Sequence, residues 1–400
     1  MNLKDLQYKY GLNATTIDIV VWIHSLFVCL FDALLYLFPK GRKQSHPHKL
    51  LVIKFDAIGD FILWLDFARG LRKLYPAETY EVTLVANQAW GDFAAGLPWF
   101  DVVIPIDRMR FILNPFYRFR TLLEIRRQGF EILIDPTFSR EFQFSPAMAR
   151  VSGAVRRVAP QGAAGNQRHW QKKLSDRWYG QLLVSTPGVL MELQRNAEFL
   201  RALGAGDFKA RLPEYKAKTT ARVSDNKPYY LLFPGASWEK KQWPVENFAA
   251  IATRIHHATG WQGVLCGGED NTDLPRRILE LTDAPLVDRI GQTSLEELAG
   301  LIASARLLLT NDTSAVHLGA AVSTRTVCIL GGGHFGRFLP YQVDEETPGR
   351  PVPVAVWHKM DCFGCNWQCI YPLDGRQAVP CIAGVSVEKV WQVILENLEE

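Results

Sequence analysis

From Leu50 onward, short apolar runs alternate with amphipathic stretches, and this alternation limits the possible folds more than any other feature of the chain. Leu50–Ile53 reads as a strand, Phe61–Tyr75 as a helix ending before Pro76, and Glu81–Ala86 and Val102–Ile106 as further strands. Phe116–Gly129 then reads as a basic helix and Ile132–Asp135 as a fourth strand. Between Ser139 and Gly188 the pattern is irregular. It restarts with strands at Tyr229–Phe233, Gly263–Cys266, Leu307–Thr310 and Thr326–Leu330. The matching helices are Val245–Thr259, Leu274–Leu281, Leu295–Ala305 and Ser314–Ala321, with a closing helix from Val387. Strands and helices in alternation at this spacing imply parallel sheets covered on both faces. A chain of 400 residues is long for one core, so two α/β domains are expected. Their strands' C-terminal ends would meet across a cleft. The polar stretch Gly204–Lys227 is the predicted linker, which divides the chain into 1–46, 47–210 and 211–400.

Residues before 47 behave differently. Ile19–Phe38 is apolar except for His24, Ser25 and Asp32, and it ends in the basic run Pro39-Lys40-Gly41-Arg42-Lys43. Twenty such residues are long enough to span a bilayer. Yet Asp18, Trp22, Ser25, Cys29, Asp32 and Tyr36 recur every three or four residues, forming a polar-leaning stripe on a helix. Because a charge in mid-span is costly, a helix or helical hairpin lying in the membrane interface is expected, ahead of a spanning anchor or a helix packed on a soluble body. Charge is also uneven: 14 Lys/Arg against 7 Asp/Glu lie between Asp101 and Gly180, giving +7 there within a net +4. Phosphate groups or acidic lipid would match that surface, and no nucleic-acid partner is expected.

Several short motifs carry chemistry. Asp56-Ala57-Ile58-Gly59-Asp60 sits where a buried strand turns into a helix, and Asp60 is either an N-cap or a working acid. Phe233-Pro234-Gly235-Ala236-Ser237-Trp238-Glu239-Lys240-Lys241-Gln242-Trp243-Pro244 is a strand end, a small-residue loop and a lysine pair, suited to a diphosphate. It lacks the spacing of a Walker A loop. Asn311-Asp312-Thr313-Ser314-Ala315-Val316-His317 opens a small-residue helix whose free N–H groups suit an anion, with His317 one turn inside. Cys266-Gly267-Gly268-Glu269 ends a strand with an acid placed to take ribose hydroxyls. Gly331-Gly332-Gly333-His334 reads as a flexible loop or a plain turn. Cys362, Cys365, Cys369 and Cys381 could bind structural zinc, pair as disulfides or remain free.

Taken in this order, the motifs resemble glycosyltransferase family 9, the ADP-heptose:lipopolysaccharide heptosyltransferases, from about Lys49 to Ile382. The most specific parts are Ile58-Gly59-Asp60, Lys241-Gln242-Trp243-Pro244 and Asp312-Thr313 followed by His317. The resemblance implies the GT-B fold, two facing Rossmann-like domains, here preceded by the apolar helix, and catalysis without a required cofactor. It implies that Asp60 is the catalytic base, while Asp56 braces the loop. Lys241 would bind the donor diphosphate beside Ser237. Glu269 would hold the nucleoside, Asp312 would lie near the donor sugar, and Thr313, Ser314 and His317 would form the phosphate-binding helix start. Ser314, where Gly is common, and the Gly331–Gly333 run depart from the family pattern.

The expected function is inverting transfer of a sugar, a heptose from ADP-heptose, to a lipopolysaccharide-core or other lipid-linked acceptor. The expected location is the cytoplasmic face of the inner membrane, peripheral or monotopic. The alternatives are a non-catalytic sugar-nucleotide-binding subunit of an envelope-assembly complex and a related GT-B sugar-nucleotide epimerase.

Overall fold

A computed structural model describes residues 14–41, 47–218, 227–269, 273–373, 375 and 377–399. Arg42 and Lys43 of the basic run, part of the expected linker (219–226) and Asp270 lie outside the described residues. The chain divides into two compact units: residues 1–56 with 72–185, and residues 57–71 with 186–400. The sequence predicts continuous domains at 47–210 and 211–400; in the structure 57–71 joins the second unit and the division falls at 185/186, for the packing reasons given below.

The first unit holds a parallel sheet of β1 (His48–Lys54), β2 (Tyr80–Asn87), β3 (Val102–Ile106), β4 (Ile132–Ile134), β5 (Arg156–Pro160) and β6 (Gln181–Leu183). Its order is β3-β2-β1-β4-β5-β6. Leu50, Leu51, Val52 and Ile53 are wholly buried, which is why this strand has no alternation: helices cover both faces of the sheet. The irregular stretch of sequence contains β5 and β6. One opens on two arginines and the other is three residues long, so neither carries an apolar run.

The N-terminal helix, Ala14–Ala33, runs into a 3-10 turn at Leu34–Leu37. By length and composition Asp18–Leu37 is apolar enough to cross a membrane. Its polar stripe, however, is turned onto the first unit. Asp32 is buried in a bidentate ion pair with Arg118, Nε–Oδ1 2.8 Å and Nη2–Oδ2 2.6 Å. Ser25 accepts from Gln171 Nε2 at 2.9 Å, and Asp18 pairs with Arg168 at 2.7 Å. Trp22 departs from this pattern and is exposed.

The second unit repeats the plan with β7 (Tyr229–Phe233), β8 (Gln262–Leu265), β9 (Leu286–Asp288), β10 (Leu307–Asn311), β11 (Thr326–Ile329) and β12 (Val354–Val356). All are parallel, in the order β12-β11-β10-β7-β8-β9. Relative to chain order this matches the first sheet: both are Rossmann-like, and both reverse direction of winding between the first and fourth strands. The three-residue edge strands β9 and β12 were too short to register in the sequence.

Residues 57–71 belong to this unit. The expected single helix at Phe61–Tyr75 is two, Ile58–Ile62 and Leu65–Leu74. The break has a local cause. Trp64 N–H bonds back only three residues to the Phe61 carbonyl, and the Leu63 carbonyl accepts from Asn196 Nδ2 at 3.1 Å. Leu63 shares a buried cluster with Met191, Leu193, Ala197 and Ala210, and the Phe67 ring stacks on Phe199.

Candidate active site

In the second unit, β7 and β10 are neighbours at the point where the winding reverses, so the loops leaving their C-terminal ends diverge and leave a crevice. Lys241 ends the 3-10 turn Glu239–Lys241 after β7, and Asp312 follows β10 directly. Asn311 ties the two loops together. Its Nδ2 donates to the Pro234 carbonyl at 2.6 Å, and its Oδ1 accepts from Trp243 N–H at 3.0 Å. The buried Trp243 indole donates to the Val385 carbonyl at 2.8 Å, anchoring the segment that carries Lys241.

Thr313 caps the helix Ser314–Ala321, its hydroxyl accepting from Ala315 N–H at 3.3 Å. One turn in, His317 is buried, and its Nδ1 meets the Tyr341 hydroxyl at 2.7 Å. Against this helix start packs the short helix Ile58–Ile62, with Asp60 in its first turn. Gly59 makes the approach possible. A Cβ there would lie 3.1 Å from His317 Cδ2 and 3.6 Å from Ser314 Cα. Asp60, which the sequence attaches to the first sheet, thus belongs to the unit that carries Lys241, Asp312, Thr313, Ser314 and His317. Asp56 stays in the first unit, where it pairs with the buried Lys54 ammonium at 2.6 Å.

The electrostatics follow from burial. Burial pushes the Asp312 carboxyl up to about 6 although the Lys241 ammonium pulls it back down. Burial lowers the Lys241 ammonium, and Asp312 opposes that shift. Two opposite charges are therefore held in partly desolvated surroundings, where electrostatic interactions are stronger than in water. Burial takes the His317 imidazole down to about 3, so it is neutral at pH 7.

Ser237 is exposed in the loop after β7. Glu269 is exposed beyond the end of β8, lying against Gly291, whose absent Cβ would meet Glu269 Cγ at 3.3 Å. It stands one strand away from the β7–β10 point, on the β9 side.

Gly331–Gly333 is a tightly packed segment that leads into a turn. All three glycines are buried, and aromatic rings occupy the space their side chains would fill: Trp367 at Gly331 and Gly333, Phe363 at Gly332. The backbone completes the fit, with Gly364 N–H donating to the Gly332 carbonyl at 2.8 Å and Asn366 N–H to the Gly333 carbonyl at 2.9 Å. Trp367 Nε1 donates to His334 Nδ1 at 3.2 Å, and Lys241 Nζ sits 3.9 Å above the Trp367 ring. Asn311 was visible in the sequence without a reason to assign it a role. Trp367 had no signal at all, because it lies far along the chain from Lys241.

The four clustered thiols are all unpaired and line one small cavity with Trp367 and Met360. Disulfides are therefore not formed. The zinc expectation also lacks its geometry, since among the described residues no group of three or more His, Cys, Asp or Glu is placed to hold a metal ion.

The profile of "Glycosyltransferase family 9 (heptosyltransferase)" matches residues 167–351. Lipopolysaccharide heptosyltransferase 1 of Pseudomonas aeruginosa is 22% identical over 329 residues, 78% of this chain and 87% of that protein. The crystal structure of the glycosyl transferase family 9 protein from Veillonella parvula superimposes with a TM-score of 0.66 at 19% identity, covering 88% of this chain and 98% of that one. The ADP-heptose lps heptosyltransferase II of E. coli gives 0.63 at 18% identity, with the same coverage of both chains. With the Ile-Gly-Asp turn, the Lys-x-Trp-Pro loop and the Asp-Thr helix start gathered in one unit, the chain is similar to glycosyltransferase family 9, whose profile covers a little under half of it.

Proposed function

We propose that the protein is an inverting glycosyltransferase that moves a heptose from ADP-heptose to a lipopolysaccharide-core or other lipid-linked acceptor at the cytoplasmic face of the inner membrane. The observation that carries this reading is the packing of the Asp60 turn, through Gly59, onto the start of the helix that begins at Ser314. That contact brings the turn that carries Asp60 against the helix start, within the unit that also carries Lys241. The names of the relatives, ADP-heptose and lipopolysaccharide heptosyltransferases, support the donor and acceptor classes.

In this mechanism the acceptor hydroxyl oxygen attacks the anomeric carbon from the face opposite the diphosphate. The bond from that carbon to the diphosphate oxygen breaks, and ADP departs with the bonding pair. Asp60 takes the acceptor proton, a step worth about a hundred- to ten-thousandfold in rate. Lys241 and the Thr313–Ser314 N–H groups stabilise the charge gained by the diphosphate, and neutral His317 holds the helix start against Tyr341. Asp312 faces the sugar, Ser237 flanks the diphosphate, and Glu269 takes the ribose hydroxyls.

The test uses purified protein with ADP-heptose, scored against other nucleotide sugars by thermal shift, and with D60N scored for transfer. The expected result is a stabilising shift for ADP-heptose in both proteins and loss of transfer, by at least about a hundredfold, in D60N. Near wild-type transfer by D60N removes Asp60 as the base. A larger shift with another nucleotide sugar replaces the donor.

A further inference from the structure

We infer that the N-terminal helix is an in-plane anchor, built inside out, that seats the first unit on an anionic lipid bilayer without crossing it. This bears on where the proposed acceptor is met, but it stands on the first unit alone and needs no part of the transfer chemistry.

The inference begins with the direction of the helix faces. On a soluble amphipathic helix the polar stripe meets water and the apolar face meets the protein. Here the outer face is apolar, and the protein-facing side takes in the polar groups beside the buried Val21, Val28 and Leu35. Ser25 and Asp32 are buried against the unit, held by Gln171 and Arg118. Ile19, Ile23, Phe27, Leu30, Leu34 and Leu37, spaced by three or four residues along the same helical run, are 48–81% exposed. Nothing among the described residues covers this strip. An exposed apolar surface of this extent marks a contact with another apolar phase.

The surroundings indicate which phase. The helix Pro115–Arg127 lies alongside, its Phe119 ring packed edge-on against Phe31 at 5.9 Å and Phe38 at 5.7 Å. It exposes Phe116, 84% accessible, together with Arg120 and Arg127. The helix His169–Ser175 touches the anchor through Gln171 and exposes Trp170, Leu174 and Lys173. Lys40, just past the anchor's end, is also exposed. Glu124 is an exposed acid on the first of these helices. An apolar strip between aromatic and basic flanks matches a bilayer interface: acyl chains for the strip, headgroup level for the aromatic rings, anionic phosphates for the basic groups.

The same contacts argue against spanning. To cross the bilayer the helix must leave the unit, which opens the buried Asp32–Arg118 pair and carries Asp32 into hydrocarbon. Arg118 is further fixed by donating to the Gln143 carbonyl at 2.9 Å. A helix tied down at Asp18, Ser25 and Asp32 keeps both of its ends on one side of the membrane.

The test is flotation of the full chain with vesicles of phosphatidylcholine alone, and of phosphatidylcholine with an equal part of phosphatidylglycerol. The expected result is flotation with the mixed vesicles, weakening roughly fivefold for each charge removed in R120Q and K173Q. F27E/L30E should abolish flotation while its melting temperature and its thermal shift with ADP-heptose match the wild type. An alkaline carbonate wash should release the bound protein. The inference is overturned if the wild type stays unbound with mixed vesicles, if F27E/L30E floats like the wild type, or if carbonate leaves the protein in the pellet as a spanning segment would. A vesicle-free dimer that F27E/L30E converts to monomer, without flotation of the wild type, assigns the strip to a second copy instead.

Discussion

Replacing Asp312 by Asn should stabilise the protein above neutral pH while weakening its function. Burial raises the Asp312 carboxyl from 3.8 to about 6, so the folded protein holds that proton more tightly than the unfolded chain does. For a carboxylate raised on folding, the destabilisation is absent below the unfolded value near 3.8. It grows as pH climbs through the window between 3.8 and about 6, and is complete above that. A rise of this size corresponds to about 3 kcal/mol at pH 7.5, with the attraction of Lys241 already included. Asn fills the same space without the charge and so avoids this cost. Urea unfolding of wild type and D312N, followed by circular dichroism, should give equal stabilities at pH 3.5. By pH 7.5 the variant should lead by about 1.5–3 kcal/mol. ADP-heptose affinity should fall in the same variant, because the donor sugar's hydroxyls lose a charged hydrogen-bond acceptor. If D312N is no more stable than wild type at pH 7.5, or if its lead is equally large at pH 3.5, the carboxylate is not a buried, strained charge. The electrostatic account of the crevice would then be wrong.

Two further substitutions test the packing that supports the site and the anchor. G333A places a Cβ where 2.3 Å separates it from Trp367 Cδ2, so it should cost about 1–3 kcal/mol of stability and displace the ring beneath Lys241. Denaturant unfolding and ADP-heptose titration read the two effects, and unchanged donor affinity would show that Trp367 does not position Lys241. D32A strands Arg118 without its partner in a buried setting and should cost about 3–5 kcal/mol, whereas D32L/R118M should recover most of that loss. Unfolding of both proteins measures it, and a loss under about 1 kcal/mol in D32A would mean that the pair does not hold the helix down.

Much of the fold was legible because a doubly wound sheet writes itself into sequence through local rules. Val245–Thr259 and Ser314–Ala321 match the observed helices at both ends, since Pro244, Gly260 and Thr313 mark where each must start or stop. The strands β1, β7 and β10 are continuous apolar runs because both faces of each sheet are covered. The edge strands β6, β9 and β12 escaped notice, as three residues contain too little pattern to be distinguished from loop. The break at Leu63–Trp64 could not be read locally, because its cause is Asn196, which lies far along the chain.

The site divides in the same way. Asp60, Lys241, Asp312, Thr313 and His317 could be named from the chain alone, since each lies at a strand end or a helix start whose chemistry is set by its immediate neighbours. That the Asp60 turn joins the second unit, that Asn311 ties its loops together, and that Gly331–Gly333 exists to admit Trp367 under Lys241 depend on contacts between segments remote in sequence. The N-terminal helix shows the limit most plainly. Its sequence established a polar stripe and an apolar face, because periodicity is a property of one helix. Which face meets the protein was decided by partners remote in sequence, Arg118, Gln171 and Arg168 among them, and it is that choice which leaves the apolar face outside.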